Sequence, residues 1–241
     1  MTGITGKTVL VTGSNRGIGR ALVDEALLRG AHRVYAGTRE AWTHSDERVT
    51  PLAFDVTDAA AVQAAAGSVE SLDILINNAG IALYDDLTDR SAIERQLAVN
   101  FFGPYEVIQA FLPQLSEARG AIVNNLSLNA FAPLPMIPAY SISKAAAFNL
   151  TQSLRSLLAE RGIRVHAVLT GPTDTDMTRG FKIPKATPQA VAQAIFSGVE
   201  RDEEDIFPDP LAATLADAWR GGAVKALEGQ FAALASAAPA A

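Results

Sequence analysis

The stretch Thr12-Gly13-Ser14-Asn15-Arg16-Gly17-Ile18-Gly19 decides the fold of this 241-residue chain. It follows Lys7–Val11, an apolar, β-branched run that predicts a buried parallel strand. It leads into Arg20–Gly30, which has helical apolar spacing and ends on a glycine. A glycine-rich turn between a strand and a helix start brings backbone N–H groups together, and the helix dipole there favours an anion. The segment therefore predicts nucleotide binding, with its three glycines allowing close approach of a pyrophosphate.

Strand-like and helix-like segments alternate along the rest of the chain. The further predicted strands are His32–Thr38, Val49–Phe54, Leu72–Asn77, Ala121–Leu126, Ile163–Leu169 and Asp205–Pro208. The further predicted helices are Ala59–Val69, Ser91–Glu117, one from Tyr140 towards Arg161, one from Pro188 to about Arg201, and Ala212–Ala233. Such alternation predicts parallel strands with helices on both faces, in one domain over residues 1–241. Only ten residues separate Thr38 from Val49, so we expect a short connection there and an open edge of the nucleotide pocket.

Composition and charge exclude several classes of protein. With 49% hydrophobic and 19% charged residues, the chain can fold around a core for most of its length. A net charge of −6 argues against nucleic acid or an anionic membrane as partner. Without cysteine there are no disulfides, thiolate catalysis or cysteine-ligated zinc, and His32, His44 and His166 lack metal-ligand spacing. Residues 1–6 lack a signal-peptide pattern and no apolar run reaches about 18 residues, so we expect a cytoplasmic protein. The Ala/Pro-rich tail 235–241 is expected to be disordered.

Tyr140 and Lys144, with Ser127 thirteen residues before the tyrosine, form the second informative pattern. Residues four apart lie on one face of a helix, one turn above the other. An ammonium beside a phenol stabilises the phenolate, so we expect the pKa of Tyr140 to fall from about 10 towards the working pH. Such a phenol is suited to protonate a developing alkoxide. Alone, Tyr-x-x-x-Lys is a weak signal, because this spacing brings the two residues together on many helices.

Together these patterns resemble the short-chain dehydrogenase/reductase family over almost the whole chain. The matching motifs are Thr12-Gly13-x-x-x-Gly17-x-Gly19, Asp55, Asn77-Asn78-Ala79-Gly80, Asn100, Ser127, Tyr140-x-x-x-Lys144 and Gly171-x-x-x-Thr175. The chain departs from the family at Thr170, where a proline usually precedes the glycine. The resemblance implies an α/β Rossmann-type doubly wound parallel sheet of about seven strands, a nicotinamide dinucleotide and a substrate lid over 171–188. It also implies a homo-oligomer, dimer or tetramer, formed through the segments 91–117 and 140–161.

The resemblance places a catalytic tetrad on Asn100, Ser127, Tyr140 and Lys144. It implies that Tyr140 donates a proton to the substrate oxygen as hydride leaves the nicotinamide, while Ser127 hydrogen-bonds that oxygen. Lys144 would lower the Tyr140 pKa and bond the nicotinamide ribose, and Asn100 would position a water linking Lys144 to solvent. Ser127 follows a predicted strand, where ligands bind in sheets of this kind.

The predicted cofactor is NADP(H). An NAD-selective enzyme usually has a carboxylate at the end of the second strand, whereas this strand ends Gly37-Thr38-Arg39. Arg16 and Arg39 suit a 2′-phosphate, because guanidinium binds phosphate in a bidentate manner; the alternative is that both are solvated surface charges. NADP(H) in turn favours reduction as the cellular direction. The predicted cofactor residues are Gly13, Asn15, Arg16, Gly17, Ile18, Gly19, Thr38, Arg39, Asp55, Val56, Asn78, Ala79, Gly80, Tyr140, Lys144, Gly171, Thr173 and Thr175.

The substrate is predicted only by class. Apolar residues on the segments that surround the reaction centre in the family favour a hydrophobic ketone or aldehyde, although lid or core packing is the alternative for each of them. They are Leu83, Phe131, Leu134, Met136, Ile137, Met177 and Phe181. The sequence thus predicts an oxidoreductase acting on CH–OH or C=O groups. A non-catalytic NADP(H)-binding sensor of the same fold is the alternative; a dehalogenase-like relative is disfavoured by Lys144 and the intact glycine loop.

Overall fold

The computed structural model describes residues 3–40 and 42–237, with side chains to residue 233. Within these ranges seven strands form one sheet: β1 Thr8–Thr12, β2 Arg33–Thr38, β3 Val49–Ala53, β4 Ile74–Asn77, β5 Ala121–Asn125, β6 Arg164–Val168 and β7 Asp205–Ile206. The order is β3-β2-β1-β4-β5-β6-β7, and every neighbouring pair is parallel. The predicted doubly wound α/β sheet is confirmed, with each strand within two residues of its predicted bounds.

Helices flank the sheet on both faces. They are α1 Gly17–Leu28, α2 Ala59–Gly67, α3 Arg90–Leu97, α4 Gly103–Ala118, α5 Pro138–Leu158, α6 Pro188–Glu200, α7 Pro210–Ala213, α8 Ala216–Arg220 and α9 Ala223–Ala237. The predicted continuous helix Ser91–Glu117 is wrong at its middle, because a π-helical segment, Ala98–Phe102, separates α3 from α4. The predicted Ala212–Ala233 helix is three shorter ones. Residues 235–237 of the predicted tail belong to α9, and 238–241 lie outside the described residues. None of the helices described here is long and apolar enough to cross a membrane.

The core lies on both faces of the sheet, and the strand pleat divides it. Val9 and Val11 point into the layer between the sheet and α1 and α6. Leu10, between them, points into the opposite layer with α2, α4 and α5. All three are fully buried, and each contributes about 1.5–3 kcal/mol through burial. Burial on two faces explains why the strands appear as continuous apolar runs rather than alternating ones.

The order of the strands reverses at β1, which creates the crevice where ligands bind in such sheets. β1 lies between β2 and β4, with Val11 aligned with Ala36 and Ile76. The glycine-rich turn after β1 therefore meets the turn after β4. Thr12 Oγ1 accepts hydrogen bonds from the backbone N–H groups of Asn78 and Ala79, both at 3.0 Å.

The connection from β2 to β3 contains no helix in its described residues, as its length predicts. Two contacts fasten it to α1. The His44 ring, 7% exposed, lies with Nε2 3.0 Å from Asp24 Oδ1. The Arg20 guanidinium lies 5.0 Å from the Trp42 ring centroid. These contacts fasten the connection to α1, a feature that connection length alone does not reveal.

A buried ion cluster fastens the C-terminal helix α9 to α5. Arg155 on α5 donates to Asp205 Oδ1 on β7 at 2.5 Å and to Glu228 Oε1 on α9 at 2.6 Å. Arg155 and Asp205 side chains are 10% and 3% exposed. Burial alone would raise the pKa of Asp205, but the charge of Arg155, the hydrogen bonds from Trp219 and Arg155 and the charge of Lys225 together hold the pKa below its usual value. Gln152, also on α5, donates to Glu228 Oε2 at 2.9 Å.

Candidate active site

The turn from Gly13 to Gly19 forms a cradle whose geometry requires residues without a side chain at its glycine positions. Gly13 and Gly17 have φ of +65° and +53°, a region that favours glycine. A Cβ on Gly13 would lie 2.9 Å from Ala79 Cα, and one on Gly19 would clash with the Gly13 carbonyl oxygen. The N-cap residue of α1, Arg16, makes no side-chain capping bond, and the first turn has no acidic residue. The first backbone N–H groups of α1 are thus left for an external anion, which fits a pyrophosphate.

Asn78 supports this cradle from the neighbouring strand. Its Nδ2 donates to the carbonyl oxygens of Thr12 and Gly13 at 3.0 and 3.2 Å. Its Oδ1 accepts from Asn125 Nδ2 at 3.0 Å. Because the whole side-chain amide is bonded to protein, the structure places Asn78, predicted as a cofactor ligand, in a supporting role.

The predicted catalytic groups Ser127, Tyr140 and Lys144 meet at the carboxyl edge of the sheet. Ser127 follows β5 and caps a short 3-10 turn, where its Oγ accepts from Asn129 N at 3.1 Å. Its hydroxyl also lies near enough to the Tyr140 hydroxyl to act on the pKa of that group. Tyr140 and Lys144 lie one turn apart on α5 and are 8% and 5% exposed. Lys144 Nζ lies 5.7 Å from the Tyr140 ring centroid and donates to the Asn125 carbonyl at 2.9 Å.

The expected lowering of the Tyr140 pKa is wrong for this structure. Burial raises the pKa of Tyr140 to about 12, and the hydrogen bond from Ser127 offsets only part of that rise. Burial also lowers the pKa of Lys144 to about 8. The ammonium is directed to the Asn125 carbonyl, and its own charge is destabilised in the same dry environment. Tyr140 therefore keeps its proton at neutral pH.

Asn100 lies in the π-helical segment and is 1% exposed. Its Oδ1 accepts from Ile81 N at 2.9 Å, and its Nδ2 donates to Ile81 O at 2.8 Å and Ser143 Oγ at 2.9 Å. A small cavity of about 10 Å³ is lined by Asn100 and Lys144, among others. That is roughly the space that one water requires. Asn77 also lines this cavity, and its Oδ1 is buried without a hydrogen-bond partner.

Two positioning residues of this region escaped the sequence analysis. Gln96, one turn before Asn100 and fully buried, accepts from Leu83 N at 3.1 Å. Asp85 accepts from Ala139 N at 3.3 Å, at the start of α5. The N-cap residue of α5, Ile137, makes no side-chain capping bond, so the carboxylate of Asp85 takes that role from a separate segment. The apolar N-cap before Pro138 was the available signal that an outside cap is needed.

The predicted adenosine-side residues are divided between core and surface. Thr38, 4% exposed, ends β2 and donates to Glu40 O at 2.6 Å. Asp55 accepts from Thr57 N and Oγ1; these bonds lower its pKa, and the nearby charge of Arg39 lowers it further. The side chains of Ile18, Val56 and Ala79 pack in the two core layers. Any contact of those three with a cofactor is therefore made largely by their backbone.

The loop 171–188, predicted as a substrate lid, lies beside the glycine turn. Gly171 N donates to Asp209 Oδ2 at 2.6 Å, and Thr173, 3% exposed, pairs with Ala186. A Cβ on Gly17 would lie 3.2 Å from Thr175 Cγ2. Arg16, predicted for a 2′-phosphate, bonds Asp176 of the lid at 3.1 Å in this structure, and Asn15 beside it is exposed. A cleft of about 470 Å³ lies between the start of α1 and this loop.

The predicted substrate residues separate into packing and rim positions. Phe131 stacks on Trp219 at 4.3 Å and meets Phe148 edge-on at 5.4 Å, which makes it part of a small aromatic core. Ile137 is buried as well. By contrast Leu134, Met136 and Met177 are exposed, and Leu83 and Phe181 half-buried. Tyr84, which the sequence analysis missed, is 70% exposed and meets Phe181 edge-on at 6.4 Å.

Known proteins match the chain in sequence and in fold. A family model described as short chain dehydrogenase matches residues 7–185. The short chain dehydrogenase pigC of Monascus ruber is 33% identical over 73% of this chain and 66% of its own length, just under two thirds. An uncharacterized oxidoreductase of Staphylococcus epidermidis is 31% identical over 81% of this chain and 91% of its own. A short chain dehydrogenase from Burkholderia cenocepacia, solved in complex with NADP, is 34% identical with a TM-score of 0.87, covering 95% of this chain and 98% of that one.

Proposed function

We infer that the chain, which belongs to the short-chain dehydrogenase/reductase family, is an oxidoreductase. We propose that it is an NADPH-dependent carbonyl reductase, which also runs in reverse as an alcohol dehydrogenase, with Tyr140 as acid and base. One observation carries the proposal: a buried, protonated Tyr140 hydroxyl beside Ser127, one helical turn from Lys144. This group lies at the same edge of the sheet as the glycine cradle.

NADP(H) is the cofactor that the residues fit. The cradle of Gly13, Gly17 and Gly19 with the uncapped start of α1 suits a pyrophosphate. No carboxylate ends β2 at Thr38, and Arg39 follows directly. The NADP complex of the Burkholderia relative supports the same cofactor. Lys144 and Thr175 would hold the nicotinamide half, and Arg16 would leave Asp176 to meet the 2′-phosphate.

The proton chemistry follows from the contacts of the chain's own residues. When bound, the reduced nicotinamide supplies the hydride that adds to the carbonyl carbon. Ser127 donates a hydrogen bond to the carbonyl oxygen and Tyr140 transfers its proton there. A pKa of about 12 keeps the tyrosine protonated at neutral pH, yet an alkoxide is a stronger base still, so transfer runs downhill. The Tyr140 phenolate left behind would regain a proton from the Lys144 ammonium, whose pKa of about 8 permits proton exchange near neutrality. Lys144 would in turn be reprotonated from solvent through a water in the cavity beside Asn100.

The substrate class follows from the rim. Tyr84, Met136 and Met177 are exposed at 70%, 47% and 47%. Met136 lies four residues before Tyr140, and Tyr84 precedes Asp85, which bonds the first turn of the same helix. Tyr84 also meets Phe181, on the same loop as Met177. Exposed apolar side chains on a site rim favour an apolar ligand. We therefore assign a hydrophobic ketone or aldehyde as substrate. We also propose that the protein acts in the cytoplasm as a homo-oligomer.

The test is turnover by a Tyr140→Phe variant, with Tyr35→Phe on β2, outside the proposed site and the proposed assembly segments, as the matched control. Oxidation of NADPH is followed by absorbance with a panel of hydrophobic ketones, and NADPH binding by fluorescence. Tyr140→Phe should lose at least about 100-fold in kcat and still bind NADPH, while Tyr35→Phe keeps wild-type turnover. Retained turnover in Tyr140→Phe contradicts the proton donor. A wild-type chain that binds NADPH tightly and oxidises it with no ketone supports the alternative, a non-catalytic sensor.

A further inference from the structure

Thr170 links two strand ends at the start of the lid. It follows β6 and is 7% exposed. Its carbonyl oxygen accepts from Leu128 N at 3.1 Å, just after Ser127. Its Oγ1 donates to Asn125 Oδ1 at 2.7 Å. A proline, which the family usually has at this position, offers no hydroxyl for that second bond.

The direction of the hydrogen bonds from Thr170 to the glycine cradle is fixed by chemistry. The carbonyls of Thr12 and Gly13 accept only, so Asn78 must present Nδ2 to them and Oδ1 to Asn125. Asn125 must then present Nδ2 to Asn78, which turns its own Oδ1 towards Thr170. That oxygen requires a donor. A hydroxyl supplies one, whereas proline or valine does not.

The same Asn125 also touches the catalytic ammonium. Its backbone carbonyl accepts from Lys144 Nζ at 2.9 Å. One residue therefore joins the lysine of the tetrad to the support of the cradle, and the orientation of its amide depends on Thr170. Loss of the hydroxyl leaves Asn125 Oδ1 unpaired in a largely buried site, and an amide that rotates to find a new partner abandons Asn78.

We propose that Thr170 is a positioning residue for dinucleotide binding, acting through Asn125 and Asn78 on the glycine cradle. It replaces the family proline with a hydrogen-bond donor that holds a three-residue polar chain in one orientation. The inference rests on the proposed function, because it takes NADPH as the molecule that the cradle holds.

The experiment compares Thr170→Val with Thr170→Ser, which keeps the hydroxyl, by fluorescence titration of NADPH. Thr170→Val should raise the Kd about 5- to 10-fold, the loss expected of one buried hydrogen bond, and Thr170→Ser should stay within about twofold of wild type. In an Asn78→Ala background, which already breaks the chain, Thr170→Val should add less than about twofold. Should Thr170→Val fail to fold, Thr170→Ala removes the same hydroxyl without the branched side chain.

The outcomes separate this inference from the proposed function. Equal Kd values for wild type, Thr170→Val and Thr170→Ala overturn the role of Thr170 alone. Equal losses in the serine and valine variants, or full additivity with Asn78→Ala, also overturn it, since a role in packing rather than donation would give those results. A wild-type chain without affinity for NADPH overturns both.

Discussion

Replacing Lys144 by methionine tests the electrostatics of the site through protein stability. The variant keeps most of the side-chain volume and removes a charge that is 5% exposed. Burial lowers the pKa of Lys144 from 10.5 to about 8. At about 1.4 kcal/mol for each pKa unit, that difference corresponds to about 3 kcal/mol. At neutral pH the lysine is charged, and this free energy destabilises the wild-type fold.

The sign of the pH dependence follows from linkage. Between pH 8 and 10.5 the unfolded chain holds the Lys144 proton and the folded chain does not, so the free energy of unfolding of the wild type rises with pH. Tyr140 affects the pH dependence only above pH 10, because its pKa is raised from 10 to about 12. Its contribution to the free energy of unfolding is present below pH 10 and is lost as pH rises further. From pH 8 to 10 we therefore expect the wild type to gain about 2–3 kcal/mol relative to Lys144→Met.

At pH 7 the same balance gives a second number. Removing the charge stabilises the fold by about 3 kcal/mol, while the Asn125 carbonyl loses its donor at a cost of about 1–3 kcal/mol. Lys144→Met should thus be about 1 kcal/mol more stable than wild type at pH 7, and inactive.

The assay is urea unfolding at pH 7, 8, 9 and 10, at one fixed protein concentration because an oligomer gains stability with concentration. Lys182→Met, at an exposed lid position, is the matched control and should differ from wild type by a constant amount at every pH. A difference between wild type and Lys144→Met that does not change with pH would refute the reasoning.

Three further predictions concern the cofactor, the assembly and the fold. Thr38→Asp, which places a carboxylate at the end of β2, should lower the NADPH/NADH preference at least about tenfold in kcat/KM; an unchanged ratio would show that this contact is misplaced. Sedimentation should give a dimer or tetramer, and a monomer would contradict the proposed assembly. Arg155→Met leaves Asp205, 3% exposed, without its main counter-ion and should cost about 3–5 kcal/mol in urea unfolding; a loss below about 1 kcal/mol would mean that Lys225, whose Nζ lies 2.9 Å from Asp205 Oδ2, suffices.

The sheet could be predicted from sequence because its signals are local. Val9, Leu10 and Val11 are buried on two faces, and such strands appear as unbroken apolar runs. The glycine spacing likewise reports a turn whose backbone conformation, as at Gly13, excludes a side chain. Tyr140 and Lys144 meet because helix geometry alone brings positions four apart together.

What the sequence did not predict depends on distant partners. The helix interruption near Asn100 accompanies bonds to Ile81, whose backbone no local pattern associates with it. The pKa of Tyr140 depends on burial and on where the Lys144 ammonium points, and both are tertiary facts. Phe131 stacks on Trp219, and an apolar residue type cannot reveal which aromatic partner it meets. The break before α9, by contrast, had a visible signal in Gly221-Gly222.

Helix α5 carries Tyr140 and Lys144 near its start. Near its C-terminal end, Arg155 and Gln152 hydrogen-bond Glu228 of α9. Removing α9, or fusing a rigid partner directly behind it, would therefore disturb the contacts of the helix that carries the reactive tyrosine. A purification tag at the N-terminus would leave the contacts between α5 and α9 intact.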